Sequence, residues 1–367
     1  MKILQIRGEF SDNGPGTQML TISKTLLGRG YAVEVAASGG LLKETIINEG
    51  IHFNLIPELA RTSRSPWKVI LAILKLRKVF VEREIDVVHA HNAATLYISY
   101  FASLFLSRKI NLFHSCRGIE LRKGYQWRNW IYLNYPGRVF AVSQFTKNEL
   151  LRIGLSEEKI TVTYNGVDLN RFDISKKAMF RSEIRKEFGI PDDAVVVGII
   201  GRMGFKGHDE IIKAFARMQD EYLNFYALLV GGGPEFDKFK QLAVDLGTNE
   251  RLLFANVRFD AEKFNSAFDI FALPSYWGEM FPNAILEAMT MAIPIISTDL
   301  SGIPEILQNG EGFIIKIKDT EALEGRLREL LDDKDLRVSM GEQGRKTLLE
   351  KFTIDKVVDK IEAAYLS

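Results

Sequence analysis

The chain of 367 residues is poor in residue types that declare a chemistry by themselves, with one cysteine and five histidines. The single Cys116 excludes an intramolecular disulfide and any multi-cysteine zinc or iron–sulfur site, and it suits a reducing compartment. Long apolar runs are missing as well. The best of them, Tyr97 to Leu106, is about half a membrane span. Met1 to Ile6 is too short for a signal-peptide core and reads as a first strand. Secretion and membrane spanning are therefore not expected, and a cytoplasmic location is. There is no low-complexity tract and no repeat at residue level.

What is present is 46% apolar residues in a chain long enough for two cores. Charge is divided unevenly. Residues 1–168 hold 22 Lys plus Arg against 14 Asp plus Glu, whereas 171–367 hold 26 against 33. The basic excess gathers at Arg61, Arg64, Lys68, Lys75, Arg77, Lys78 and Arg83, with only Glu82 opposing them between Leu59 and Arg83. That segment reads as a solvated helix face or as a weak contact with an anionic membrane. Its apolar residues, Trp67 to Leu76, are expected mostly to cover a sheet.

Short β-rich runs alternate with amphipathic ones in two series. The first has strands at Ile3–Ile6, Val33–Ala36, Phe53–Ile56, Val87–His89, Leu112–His114, Val139–Val142 and Ile160–Val162. A polar stretch from Asn165 to Lys177 follows and is read as the linker. The second series has strands near Val195–Ile200, Ala227–Val230, Leu252–Ala255, Ile270–Pro274, Ile293–Ser297 and Phe313–Ile317. Such βα alternation implies an α/β chain with parallel sheets, whose ligands sit beyond the strand C-termini.

Chemistry concentrates at two of those strand ends. Asp269–Leu273 runs into Pro274 and an acidic loop, and Pro282 suits the first position of the next helix. The N–H groups around Met280, Phe281 and Asn283 would then face an anion. Glu279 in the loop and Glu287 in the helix can accept hydrogen bonds from hexose hydroxyls and from a ribose diol respectively. Val195–Gly201 leads into the turn Arg202-Met203-Gly204-Phe205-Lys206-Gly207-His208, whose two cations can meet the charge of a diphosphate without a metal. Earlier, Asn13-Gly14-Pro15-Gly16-Thr17 reads as a loop permitting close backbone approach to a phosphate or sugar. His89 and His91 share a strand face and could begin a metal site, but no third ligand is apparent. Gly231-Gly232-Gly233-Pro234 reads as a tight turn with Pro234 starting a helix, and Asp333-Lys334-Asp335 lies between helical runs, away from any strand end.

The turn Gly201-Arg202 to Lys206-Gly207, the pair Glu279 and Glu287, Gly302-Ile303-Pro304-Glu305, and Val142-Ser143 through Tyr164-Asn165-Gly166-Val167-Asp168 together resemble a retaining glycosyltransferase of the family 4 type with the GT-B fold. The resemblance implies two Rossmann-like domains facing across a deep cleft. It places an acceptor domain at 1–168 with a returning helix at 354–367, and a nucleotide-sugar domain at 178–350. It also implies that His114 lies near the donor sugar and that Gly16 belongs to the loop over the diphosphate. The expected reaction is metal-independent, cofactor-free hexosyl transfer from a UDP-sugar to a surface-glycan or lipid-linked saccharide. Catalysis would rest on His114, Glu279, Arg202 and Lys206, with Met280, Phe281, Asn283 and Glu287 also holding the donor. A GDP-mannose-dependent mannosyltransferase and a noncatalytic nucleotide-sugar binder are the alternatives. No nucleic-acid partner is expected, and a weak peripheral contact with the inner membrane face through Leu59 to Arg83 stands as the alternative to a solvated helix face.

Overall fold

A computed structural model describes residues 1–11, 14–60, 65–118, 129–248 and 250–367. The chain divides into two compact units, 1–166 with 354–367 and 167–353. The first begins β1 (Lys2–Ile6), α1 (Gly14–Gly28), β2 (Ala32–Ala37), α2 (Lys43–Asn48), β3 (His52–Leu55), α3 (Pro66–Glu82) and β4 (Val87–Ala90). It continues α4 (Ala93–Ser103), β5 (Asn111–Cys116), α5 (Trp130–Asn134), β6 (Arg138–Ala141), α6 (Gln144–Arg152) and β7 (Ile160–Val162). Its seven strands lie in the order β3-β2-β1-β4-β5-β6-β7, and every pairing is parallel.

Parallel strands covered on both faces need unbroken apolar runs. Ile3, Leu4, Ile6, Val87, Val88 and Val139 are accordingly buried completely. One layer of core joins Leu76, Phe80, Leu96 and Leu150 to one sheet face, and the other joins Met19, Ile22, Leu26, Val357 and Ile361 to the opposite face.

The second unit holds α7 (Lys177–Phe188), β8 (Val195–Ile200), α8 (His208–Met218), β9 (Phe225–Val230), α9 (Phe236–Asp245), β10 (Leu252–Ala255) and α10 (Ala261–Ala267). It continues β11 (Ile270–Leu273), α11 (Asn283–Thr290), β12 (Ile295–Thr298), β13 (Gly312–Ile315), α12 (Thr320–Asp332) and α13 (Lys334–Lys351). Its parallel sheet has the order β10-β9-β8-β11-β12-β13. The last helix, α14 (Ile354–Leu366), returns to the first unit. There Glu362 takes a 2.5 Å contact from Arg29, and the Tyr365 hydroxyl lies 2.7 Å from His89 Nδ1.

Several local expectations need correction. Gly14 to Thr17 form the first turn of α1 instead of an open loop, with Gly16 buried; Asn13 lies outside the described residues. Of the expected linker, Asn165 and Gly166 belong to the first unit and the residues from Val167 on to the second, where Val167 bridges Thr353 and its N–H donates to the Phe352 carbonyl at 3.0 Å. Pro282 is the N-cap of α11, with extended backbone, and is not its first helical residue. Pro234 precedes α9, which begins at Phe236.

Candidate functional site

In the second unit the order reverses between β8 and β11, the place where open α/β sheets hold ligands. The loops leaving those two strands are tied together. Tyr276 N–H donates to the Phe205 carbonyl at 3.0 Å, and its hydroxyl donates to the Gly204 carbonyl at 3.3 Å. Gly207, the N-cap of α8, has φ of 83°, and a β-carbon there would fall 2.2 Å from the Pro274 carbonyl oxygen. Only glycine tolerates both the left-handed backbone and that approach. The Gly231 turn packs equally closely on the Gly201 carbonyl, and Gly232 accepts from Met203 N–H at 2.9 Å.

These ties bring together residues 73 positions apart. Lys206 Nζ forms an ion pair with Glu279 Oε1, and Glu279 is only 8% exposed. The cation expected at a diphosphate and the carboxylate expected at a hexose thus pair with each other. Arg202 is exposed on the same turn. Beyond Glu279, the Met280 carbonyl accepts from Gly302 N–H at 3.1 Å, anchoring the Gly302 to Glu305 segment behind the loop. Phe281 is buried, and its ring meets Phe352 at 5.3 Å.

The two helix starts differ electrostatically. The first turn of α8 carries Asp209 and Glu210, whose carboxylates engage Lys213 at 3.3 and 2.8 Å. The first turn of α11 has no acidic residue of its own, and its N-cap, Pro282, has no side chain that could cap it. Asn283 opens that helix, and Glu287 is half-buried one turn further on. His208, at the start of α8, is buried with neither ring nitrogen hydrogen-bonded, and its ring stacks on Phe239 at 5.8 Å. Burial, then the nearby Lys206, pushes its pKa down to about 3.

Three aromatics flank the Lys206–Glu279 pair without having been assigned a role from the sequence. Phe205 meets Trp277 edge-on at 5.0 Å and Tyr276 at 5.9 Å, and Phe205 and Trp277 are more than half exposed. The signal for Tyr276 and Trp277 was two adjacent aromatics in a loop just ahead of Gly278 and Glu279.

The first unit places His114 inside β5, not at its end. It is buried, with Nδ1 2.9 Å from the Ala90 carbonyl and Nε2 3.5 Å from the Tyr132 hydroxyl. Burial lowers its pKa to about 4, so the imidazole is neutral near pH 7, with Nδ1 as the donor. His89 and His91 do share a strand face, their rings 4.2 Å apart. Both nitrogens of His89 are taken, by Tyr365 at 2.7 Å and Ser115 at 2.8 Å.

The model described as Glycosyltransferase Family 4 matches residues 12–171, and the model described as Glycosyl transferases group 1 matches 180–347. The N-acetyl-alpha-D-glucosaminyl L-malate synthase of Bacillus anthracis is 27% identical, over 97% of this chain and 94% of that protein. An Escherichia coli UDP-Gal:alpha-D-GlcNAc-diphosphoundecaprenol alpha-1,3-galactosyltransferase is 24% identical, over 87% of this chain and 85% of its own. In three dimensions the chain resembles Anabaena Alr3699/HepE, crystallised with UDP and glucose. That likeness has a TM-score of 0.85 at 21% identity and covers both chains completely.

Proposed function

Because the chain belongs to the family 4-type glycosyltransferases of GT-B fold, we propose that it moves a hexosyl group from a UDP-sugar to a saccharide or lipid-linked acceptor, retaining configuration and using no metal. The pairing of Lys206 with Glu279 in the loop that leads into α11 carries this reading. An incoming diphosphate competes for Lys206, and Arg202 and the N–H groups near Asn283 add to its hold. Glu279, released from Lys206, then accepts from hexose hydroxyls, while Glu287 takes the ribose diol. As the C1–oxygen bond to the diphosphate breaks, the acceptor oxygen bonds C1 on the same face. The departing diphosphate takes the acceptor proton. Rate enhancement comes from orientation and from stabilising the charge on the leaving group. His114 and Gly16 are retained as positioning groups, His114 as a neutral imidazole whose Nε2 accepts.

UDP is favoured by the ligands crystallised with the Anabaena protein, and alpha-linked products stand in the names of both relatives. Those names differ in acceptor, L-malate in one and a diphosphoundecaprenol-linked sugar in the other. The test is nucleotide release from a panel of UDP-, GDP- and ADP-sugars without acceptor, in EDTA. Slow hydrolysis of a UDP-sugar is expected, whereas a GDP-mannose preference would select the mannosyltransferase. Release from no sugar nucleotide would leave a binder, and activity only on adding magnesium or manganese would refute metal independence. Proton NMR of the first product tests retention.

A cytoplasmic membrane face fits the lipid-linked form of this reading. No helix among the described residues is long and apolar enough to cross a membrane. Yet α3 turns only Ala72, Leu76 and Phe80 fully inward and exposes Trp67, at 75%, with Ile70, Leu71 and Leu74. The exposed apolar surface is larger than the sequence led us to expect. Lys75 is paired with Glu58 at 2.5 Å and Lys78 with Glu82 at 3.5 Å, so the face carries less free positive charge; Arg61 and Arg64 lie outside the described residues. A surface of this kind lies on a bilayer through apolar contact as well as charge.

A further inference from the structure

At the C-terminal edge of the first sheet three neighbouring strands, β1, β4 and β5, end immediately before Arg7, His91 and Arg117. The rows are in register there, since His91 N–H donates to the Ile6 carbonyl at 2.9 Å. Among the described residues neither arginine forms an ion pair. Arg117 Nη1 donates to the neutral Asn165 Oδ1 at 2.8 Å, while its Nε and Arg7 Nη1 are shielded from solvent without a hydrogen-bond partner. Glu9 acts on Arg7 only from a distance. Desolvation lowers the pKa of both guanidinium groups, and the approach of Arg7 lowers that of Arg117 further, to about 9. Both also help to keep His91 neutral, after its own burial and His89.

Two partly desolvated cations at the ends of strands that flank β4, with no carboxylate paired to either among the described residues, are unfavourable by themselves and become favourable when an anion joins them. We propose that Arg7 and Arg117 form an anion subsite of the first unit that takes a phosphate or carboxylate group of the acceptor. The word acceptor rests on the transferase reading above; the anion site does not. His91 Nε2 faces Gln5 Oε1 at 2.6 Å and so carries the proton. This leaves Nδ1, buried and unpartnered, to accept from a hydroxyl of the same ligand. An anionic group next to a hydroxyl, as in a sugar phosphate or a hydroxy acid, fits these donors and this acceptor.

Thermal melting at constant ionic strength tests the proposal with inorganic phosphate, pyrophosphate and succinate against chloride. The parent protein for the series carries Arg202→Ala and Lys206→Ala, so that a diphosphate held in the second unit cannot give the signal. At least one anion class should raise its melting temperature by about 3 °C or more at saturation. Adding Arg7→Gln or Arg117→Gln should remove that shift. A response to phosphates alone assigns a phosphate-bearing ligand, and a response to succinate alone assigns a carboxylate. Without added anion the Gln variants should melt at or above the parent, because each removes an uncompensated charge. No anion response, or one that survives both Gln replacements, would overturn the site. So would a loss of several degrees in both anion-free variants, which would make the guanidinium groups structural. Failure of sugar-nucleotide turnover would leave these outcomes standing, so the two readings fail separately.

Discussion

The two sheets end in cations that are handled in opposite ways. In the second unit Lys206 rests on Glu279, and Arg202 stands in solvent. In the first, Arg7 and Arg117 each keep a guanidinium nitrogen shielded from water and pair with no carboxylate among the described residues. A paired, partly accessible cation can exchange its partner for a diphosphate at little cost and release it again. An unpaired, desolvated one holds an unfavourable charge until an anion arrives. The comparison separates a site built to exchange a leaving group from one built to select what enters.

The largest expected effect breaks the paired side. Lys206→Ala removes a charge-assisted contact worth about 1.5–3 kcal/mol and leaves Glu279 buried without its cation. Turnover should fall more than tenfold and diphosphate affinity with it, while nucleoside affinity changes little. Arg202→Ala should lower turnover similarly without destabilising the fold, since its side chain is exposed. Steady-state kinetics and calorimetry measure both, and unaltered diphosphate affinity in the two variants would count against the clamp.

Acid sharpens the comparison through stability. His208 titrates near 3 in the fold and near its ordinary 6.5 when unfolded, so between those values the unfolded chain binds more protons. The stability due to its neutral form is complete above pH 6.5 and is lost as pH falls toward 3, by about 1.4 kcal/mol per unit. His114, lowered to about 4, adds to the loss in the same direction. His208→Phe keeps the stacking on Phe239 and should flatten the denaturant-measured stability profile between pH 6.5 and 3. A variant with the parent's slope would show that His208 is not buried as described.

Much of this was legible in the sequence. The thirteen strands of the described residues are readable because buried parallel strands are continuous apolar runs, and they end within a few residues of where the runs do. The Glu279 to Glu287 segment is contiguous, so its loop-to-helix form was readable as well. Gly14-Pro15-Gly16 misled because glycine and proline signal turns, whereas Pro15 sits in a first helical turn, where its missing N–H does no harm. The Lys206–Glu279 pair and the grouping of Arg7 with Arg117 were invisible for another reason. They depend on which strands become neighbours, and spacing along the chain does not encode that.

Smaller effects refine the second unit. Glu287→Ala should weaken nucleotide binding, while Glu279→Ala should leave it nearly intact and impair turnover. Equal losses of nucleotide affinity would show the pair to be misassigned. The smallest effect concerns α3. Association with anionic vesicles should be weak, reduced by salt but not abolished, and lost when Trp67, Leu71 and Leu74 become serine. Binding that ignores those replacements would return the helix face to plain solvation.

The most direct measurement is calorimetric titration of UDP into the wild-type protein, Lys206→Ala and Arg7→Gln. UDP should bind the wild type without added metal, Lys206→Ala should weaken that binding at least tenfold, and Arg7→Gln should leave it unchanged. UDP affinity that is indifferent to Lys206, or that falls equally with Arg7, would contradict the division of labour between the two sheets.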